Sequence, residues 1–228
     1  MAPSDTRHPH TRGYGMASAR SRERLIERLA ATGTFDPRVL EAMKAVPRHE
    51  FVDEAMASRA YDDSALPIGH GQTISQPTIV AEMTTLAIAG MEDTTVSDQV
   101  LEIGTGSGYQ AAVLAELGAS VVTMERVEPL YRLSRARLAR LGYRRVEARL
   151  ASQDVVGLPS RAPFKHIVVT AGADHFPTEL FEQLADGGCM ILPLAAEGGQ
   201  RLYRIRRDGH TAVREVHDAV SFVPLIQS

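Results

Sequence analysis

Residues 98–126 read DQVLEIGTGSGYQAAVLAELGASVVTMER. The apolar run Val100-Leu101-Glu102-Ile103 predicts a short strand that ends in Gly104-Thr105-Gly106-Ser107-Gly108. A helix should follow, and then a second apolar strand, Val121-Val122-Thr123-Met124, that closes on Glu125. Strand, glycine turn, helix and strand make one right-handed crossover unit, which calls for a parallel sheet. Sheets of this kind take nucleoside cofactors at their carboxyl edge. Alternate glycines place no Cβ in the turn, so backbone can approach a ligand closely. The following helix delivers its unpaired N–H groups to the same place.

The acidic positions narrow the ligand. Glu125 lies where a carboxylate can take both ribose hydroxyls, with Arg126 beside it. A dinucleotide site prefers G-x-G-x-x-G, but here the third glycine comes one residue early and Tyr109 fills the expected position. Glu102 sets a negative charge next to the turn, which suits a cationic ligand better than a pyrophosphate. S-adenosyl-L-methionine carries a sulfonium and an ammonium group and no phosphate. The reading therefore favours a methyl donor over NAD and over an empty turn.

Bulk properties suit an enzyme. The chain has 228 residues, 44% of them hydrophobic, and a net charge of −3. That length buries a full core, and the charge argues against nucleic acid as partner. No apolar run approaches the roughly 18 residues of a membrane span. One cysteine, Cys189, excludes an internal disulfide and fits a reducing, cytoplasmic location; it reads as a small buried strand residue. Residues 1–17 are polar, with no apolar signal region, and are expected to be a disordered tail. His166 and His175 lack metal-ligand spacing, so no metal is assigned.

Residues 18–97 are expected to form a helical section. Leu25, Ile26 and Leu29 mark one apolar face, and Val39, Leu40, Met43 and Val46 mark another after the Asp36-Pro37 cap. Residues 61–77 read as a loop. Pro77 opens a helix with Ile79, Val80, Met83, Leu86 and Ala87 on its buried face. From residue 98 strands and helices alternate. The helix after Glu125 carries Leu130, Leu133, Leu138 and Leu141 and ends at Gly142. Its arginines 132, 135, 137 and 140 read as a solvated face. Further strands are expected at 146–150, 166–170 and 190–194, with a helix from Pro177 through Leu184 stopped by Gly187-Gly188. Two last strands, 201–207 and 211–216, flank Asp208-Gly209-His210. The whole is read as one domain, residues 18–228.

The loop before Pro77 is long for a connector and rich in glycine and hydroxyls, as functional loops often are. Thr73 and Ser75 could bond a carboxylate or the cofactor; equally, Ser75 could simply cap the next helix. His70 and His49 stay open between a contact and a packed turn. The run Ala65-Leu66-Pro67-Ile68-Gly69-His70-Gly71-Gln72-Thr73-Ile74-Ser75-Gln76-Pro77, taken with Leu101-Glu102-Ile103-Gly104-Thr105-Gly106-Ser107-Gly108-Tyr109-Gln110, resembles the protein-L-isoaspartate O-methyltransferases. Val46-Pro47-Arg48-His49-Glu50-Phe51-Val52, Arg161-Ala162-Pro163-Phe164 and Phe222-Val223-Pro224-Leu225 resemble other segments of that family, in family order.

The resemblance implies an α/β fold with a doubly wound, mostly parallel sheet of the S-adenosylmethionine-dependent methyltransferase (Rossmann-like) type. It implies methylation of the free α-carboxylate of L-isoaspartyl residues in damaged proteins and peptides; a monomer is expected over an oligomer. Ser75 would be the catalytic residue. Thr73, Ile74, Glu102, Gly104, Thr105, Gly106, Ser107, Gly108, Glu125 and Arg126 would hold the cofactor. Where the family carries Gly-Asp-Gly after the third strand, this chain has Ser152-Gln153-Asp154. Gln153 or Asp154 would then face the adenine, with weakened cofactor binding expected. Lys165 stands where the family has an Asp. Two alternatives remain: a divergent methyltransferase for another carboxylate, and a binding protein that keeps the fold without turnover.

Overall fold

A computed structural model describes residues 15–89 and 99–225. Helices α1 (Gly15–Ala31) and α2 (Pro37–Ala45) come first. Asp36 caps α2 by accepting from the Arg38 N–H at 2.8 Å, and Pro37 takes the first turn. The helix α1 starts three residues inside the stretch expected to be an unstructured tail; residues 1–14 lie outside the described residues. Residues 61–77 are not wholly loop. They contain an antiparallel pair, β1 (Leu66–Gly69) and β2 (Gln72–Ile74), turned by His70 at φ 55° between Gly69 and Gly71. Strands this short, with a proline in one and two glycines between, leave almost no alternating pattern to read. Helix α3 (Pro77–Ile88) follows and buries Val80, Ala81, Met83, Thr84 and Ala87, with Ile79 and Leu86 only half-buried.

The remainder is β3 (Gln99–Ile103), α4 (Tyr109–Glu116), β4 (Ser120–Glu125), α5 (Glu128–Arg140), β5 (Val146–Leu150), β6 (Phe164–Val169), α6 (Thr178–Glu182), β7 (Leu184–Ala196), β8 (Gly199–Asp208) and β9 (Thr211–Val220). The seven strands lie in the order β5-β4-β3-β6-β7-β8-β9. Pairs from β5 to β7 are parallel, and β8 and β9 add antiparallel strands at one edge. The order reverses direction between β3 and β6, where such sheets open a crevice at their carboxyl ends. Adjacent strand residues divide between two layers. Val100, Val121, Val168 and Ile191 pack with α3 and α4, while Leu101, Val122, Ile167 and Met190 pack with α6. Helices α1 and α2 and the β1–β2 pair share a further core with α4 and α5.

Two expected boundaries shift. The helix from Pro177 is only α6, and β7 begins at Leu184 because Leu184 pairs with Phe164 ahead of an irregularity in the ladder. Gly188 is packed tightly there, a Cβ at this position falling 2.8 Å from the Ala185 and Lys165 carbonyls. Gly188 therefore lets two backbones approach within a strand, while Gly187, at φ +70° with open space around it, supplies the turn of the backbone; the two do not end a helix. In α5, Leu133 is 55% exposed and Ser134 takes the buried position.

Candidate active site

A cavity of about 970 Å³, including the solvent at its open mouth, lies over the carboxyl ends of β3, β4 and β6. Its floor is Gly104, Thr105, Gly106 and Ser107. Gly104 has φ +98°, and a Cβ there would sit 2.6 Å from the Thr170 hydroxyl oxygen. Thr170, at the end of β6, donates toward the Ile103 carbonyl at 3.0 Å and the Gly104 carbonyl at 2.5 Å, so the turn is pinned from the neighbouring strand. The Thr105 and Thr123 hydroxyls lie 2.6 Å apart beneath it. Gly108 does not line the cavity. It holds φ +89° as the residue before α4, and a Cβ would press on Leu138 at 3.2 Å, so it serves helix packing.

One wall carries Glu125 and Arg126. The Glu125 carboxylate accepts the Gly106 N–H at 2.7 Å on one oxygen and the Val127 N–H at 2.9 Å on the other. Each oxygen keeps lone pairs for further donors, as a vicinal diol requires. The Arg126 guanidinium donates to the Ser152 and Gln153 carbonyls at 2.8 and 3.3 Å. Gln153 and Asp154, expected to face the adenine, are exposed and do not line the cavity; Ala151, Val155, Val156 and Gly157 form that part of the wall.

Glu102 is also absent from the cavity lining. Successive strand residues alternate between the faces of a sheet, and Glu102, paired with Thr123, falls among buried side chains. Its carboxyl oxygens have no hydrogen-bond partner of good geometry. Burial pushes its pKa up to about 8, with the Thr123 hydroxyl opposing that rise and the Glu125 charge adding to it. At pH 7 the group is mostly protonated, so it supplies no full negative charge beside the turn.

The opposite wall is the β1–β2 pair and the chain after it: Gln72, Thr73, Ile74 and Ser75. Ile68 of β1 packs directly on the glycine turn, its Cδ1 being 3.4 Å from where a Gly106 Cβ would be. Ser75 does not cap α3. Gln76 is the cap residue, and the Asp63 carboxylate fills the role from outside by accepting the Thr78 N–H at 2.9 Å, the Thr78 hydroxyl at 2.5 Å and the Gln76 amide at 3.1 Å. Burial of Asp63 opposes ionisation, but the Thr78 and Gln76 donors outweigh it and hold the carboxyl below its ordinary value. The Ser75 carbonyl accepts from the buried guanidinium of Arg48 at 2.6 Å. The chain end closes the mouth with Val223, Pro224 and Leu225, held by the Gly172 N–H to the Val223 carbonyl at 2.8 Å and the Leu225 N–H to the Gly172 carbonyl at 2.7 Å.

Thus Thr73, Ile74, Ser75, Gly104, Thr105, Gly106, Ser107, Glu125 and Arg126 come together, and Glu102, Gly108, Gln153 and Asp154 stand outside the lining. Sequence reading overlooked Thr170 and the Val155-Val156 wall. The position of Thr170 at the end of an expected strand, 166–170, is the signal that could have found it. Arg137, read as a solvated residue, instead donates to the Ser107 carbonyl at 2.9 Å and ties α5 to the turn. His166 and Cys189 are buried together, Nδ1 to Sγ 3.4 Å, away from the cavity. Among the described residues no group of His, Cys, Asp and Glu could hold a metal ion, and no helix is long and apolar enough to cross a membrane.

A glycine cradle at the reversal point of a mostly parallel sheet, an acidic residue ending the next strand and a hydroxyl-bearing wall opposite define a methyltransferase of the S-adenosylmethionine-dependent class. Comparison with known proteins takes this further. The family model for protein-L-isoaspartate(D-aspartate) O-methyltransferase matches residues 20–228. The protein-L-isoaspartate O-methyltransferase of Alkalilimnicola ehrlichii is 51% identical over 216 residues, covering 94% of this chain and 95% of its own length. That of Halorhodospira halophila is 47% identical, with 97% and 98% covered. A solved protein-L-isoaspartate O-methyltransferase superposes with a TM-score of 0.79 at 27% identity, covering 89% of this chain and 65% of that longer one. A Plasmodium falciparum structure in complex with S-adenosyl-L-homocysteine shares the fold at a TM-score of 0.76 and 24% identity, with 91% and 99% covered. This chain belongs to the protein-L-isoaspartate(D-aspartate) O-methyltransferase family.

Proposed function

We propose that the protein transfers a methyl group from S-adenosyl-L-methionine to the free α-carboxylate of L-isoaspartyl residues in proteins and peptides. Family membership supports the reaction. The observation that carries the roles of individual residues is that the glycine cradle with Glu125 and the Thr73-Ile74-Ser75 wall face one another across one cavity. The cradle suits the cofactor because its glycine conformations leave backbone bare where a Cβ would intrude. Glu125 is suited to the ribose hydroxyls, and Met124, Ala151, Val155 and Val156 to the flat faces of the adenine.

When bound, the cofactor supplies a methyl group already activated on a positively charged sulfur. The substrate carboxylate is ionised at neutral pH, its reference pKa being about 3–4, so no side chain has to remove a proton. The residues of this chain bind, orient and exclude water. The Ser75 hydroxyl donates to one carboxylate oxygen and leaves the other directed at the methyl carbon, with Thr73 as a second donor. Ile74, Val223 and Leu225 keep that side of the cavity apolar. Such orientation can supply on the order of 7–11 kcal/mol of the barrier. The single cysteine fits a reducing, cytoplasmic location, and the protein is read as a monomer. The test is transfer of label from S-adenosyl-L-methionine to an isoaspartyl peptide and to its normal aspartyl twin. Label on the first alone is expected. Label on neither, with cofactor bound, would turn the reading to a different carboxylate, and absence of cofactor binding would turn it to a protein without turnover.

A further inference from the structure

We propose that Arg48 is a positioning residue for the acceptor side of the site, acting through the backbone of Ser75. The inference rests on the reading of Ser75 above and extends it to a side chain outside the cavity. Arg48 follows Pro47 at the exit of α2, in a short 3₁₀ turn, Arg48–Phe51, and has no exposed surface. Arginine is almost never fully buried unless paired, yet no carboxylate among the described residues lies within ion-pair distance of it. Its Nε donates to the Ala60 carbonyl at 2.8 Å, its Nη2 to the Ser75 carbonyl at 2.6 Å, and its guanidinium carbon sits 4.8 Å from the centre of the Tyr109 ring.

These three partners come from different parts of the chain, and two of them line the cavity. Tyr109 is the first residue after the glycine turn, and Ser75 carries the hydroxyl read above as the donor to the substrate carboxylate. The guanidinium is therefore a rigid spacer between the cofactor floor and the acceptor wall. A planar fork with several donors and a flat face can meet two carbonyls and an aromatic ring at once; an ammonium cannot. Burying an unpaired charge costs free energy that an apolar side chain of equal volume would avoid, so packing alone does not account for arginine here. Beyond Ser75 the chain is held again, since Asp63 grips Gln76 and Thr78. With its carbonyl fixed on one side and its successors on the other, Ser75 retains chiefly its side-chain torsion, and its hydroxyl stands in a set place. In-line transfer is sensitive to that placement, a displacement of about 1 Å being worth roughly 10²-fold in rate.

The test is a double-mutant cycle of Arg48→Lys with Ser75→Ala in the full chain, read as kcat on an isoaspartyl peptide, with S-adenosylhomocysteine affinity by calorimetry and a melting curve for each variant. Arg48→Lys should lower kcat by about tenfold or more and leave S-adenosylhomocysteine affinity within about threefold of wild type; in the Ser75→Ala background it should lower kcat by less than about twofold, because coupled residues do not add. Should the lysine variant fail to fold, Arg48→Gln, which removes the buried charge and keeps one amide donor, is read in the same cycle. Additive losses, unchanged kcat, or a parallel fall in S-adenosylhomocysteine affinity would overturn the inference while wild-type transfer leaves the functional reading intact. A wild type that labels no isoaspartyl peptide would sink that reading and this inference with it.

Discussion

The two sides of the cavity are built by different means. The cofactor floor is a local object: β3, the glycine turn, α4 and β4 are continuous in the chain, and Glu125 bonds the Gly106 N–H of the same unit. The acceptor wall is a long-range object. Ser75 is placed by Arg48 from one side and, through Gln76 and Thr78, by Asp63 from the other. Its strands are too short to stand alone, and Ile68 rests on a turn contributed by a distant segment. Damage to the floor should therefore cost cofactor binding and stability together, whereas damage to the wall should cost turnover and spare the cofactor.

The largest effect should come from Gly104→Val. The new side chain meets the Thr170 hydroxyl in a left-handed backbone conformation; strain there costs about 1–3 kcal/mol before the clash is counted. S-adenosylhomocysteine affinity, measured by calorimetry, should fall by about 100-fold or more, roughly 3 kcal/mol. Wild-type affinity in this variant would show that the turn is not the cradle.

Next is Glu102→Gln, which separates the floor's stability from its ligand chemistry. The folded-state pKa of Glu102 is raised to about 8 from an ordinary 4.5 by burial. The native protein thus binds more protons than the unfolded chain across that interval, and stability must fall as pH rises through it. The glutamine variant lacks this loss. Melting curves should show wild type and variant close at pH 4.5 and the variant ahead by about 2 kcal/mol or more near pH 8.5. A constant gap across pH would mean the carboxyl is not the titrating group.

On the wall, Ser75→Ala should lower kcat by about tenfold, close to 1.4 kcal/mol in the barrier, with S-adenosylhomocysteine affinity within about twofold of wild type. A matched loss of affinity would place Ser75 with the floor. The smallest effect is expected for Asp63→Asn, about 1 kcal/mol in stability, the usual worth of a helix cap. Because the Asp63 carboxyl lies below its ordinary value, wild type holds that contribution above the ordinary carboxylate range. It loses the contribution as pH falls through the folded value. The variant should show no such acid-side loss in a urea titration at pH 3 and pH 7.

The same contrast explains how much could be read from the residues alone. The strand–turn–helix–strand pattern, the parallel core and Glu125 follow from periodicity and glycine spacing, which are properties of neighbours in the chain, while the family resemblance rests on the residue identities of the 65–77 run and the 101–110 turn. The β1–β2 pair escaped because Pro67 and the Gly69 and Gly71 turn look like loop until Ile68 and Ile74 find a surface to cover. Gln153 and Asp154 were misplaced because motif spacing says which segment reaches the wall, while the turn geometry decides which of its residues face inward.

From its primary structure this protein was bound to form an α/β crossover with a nucleoside cradle, since steric freedom at glycine and the alternation of apolar residues operate within a few bonds. Folding alone settled that Glu102 is a mostly neutral buried acid and that Arg48 lies under Ser75. Charge state and burial depend on what is packed against a group in space, and those neighbours come from segments the local pattern does not couple.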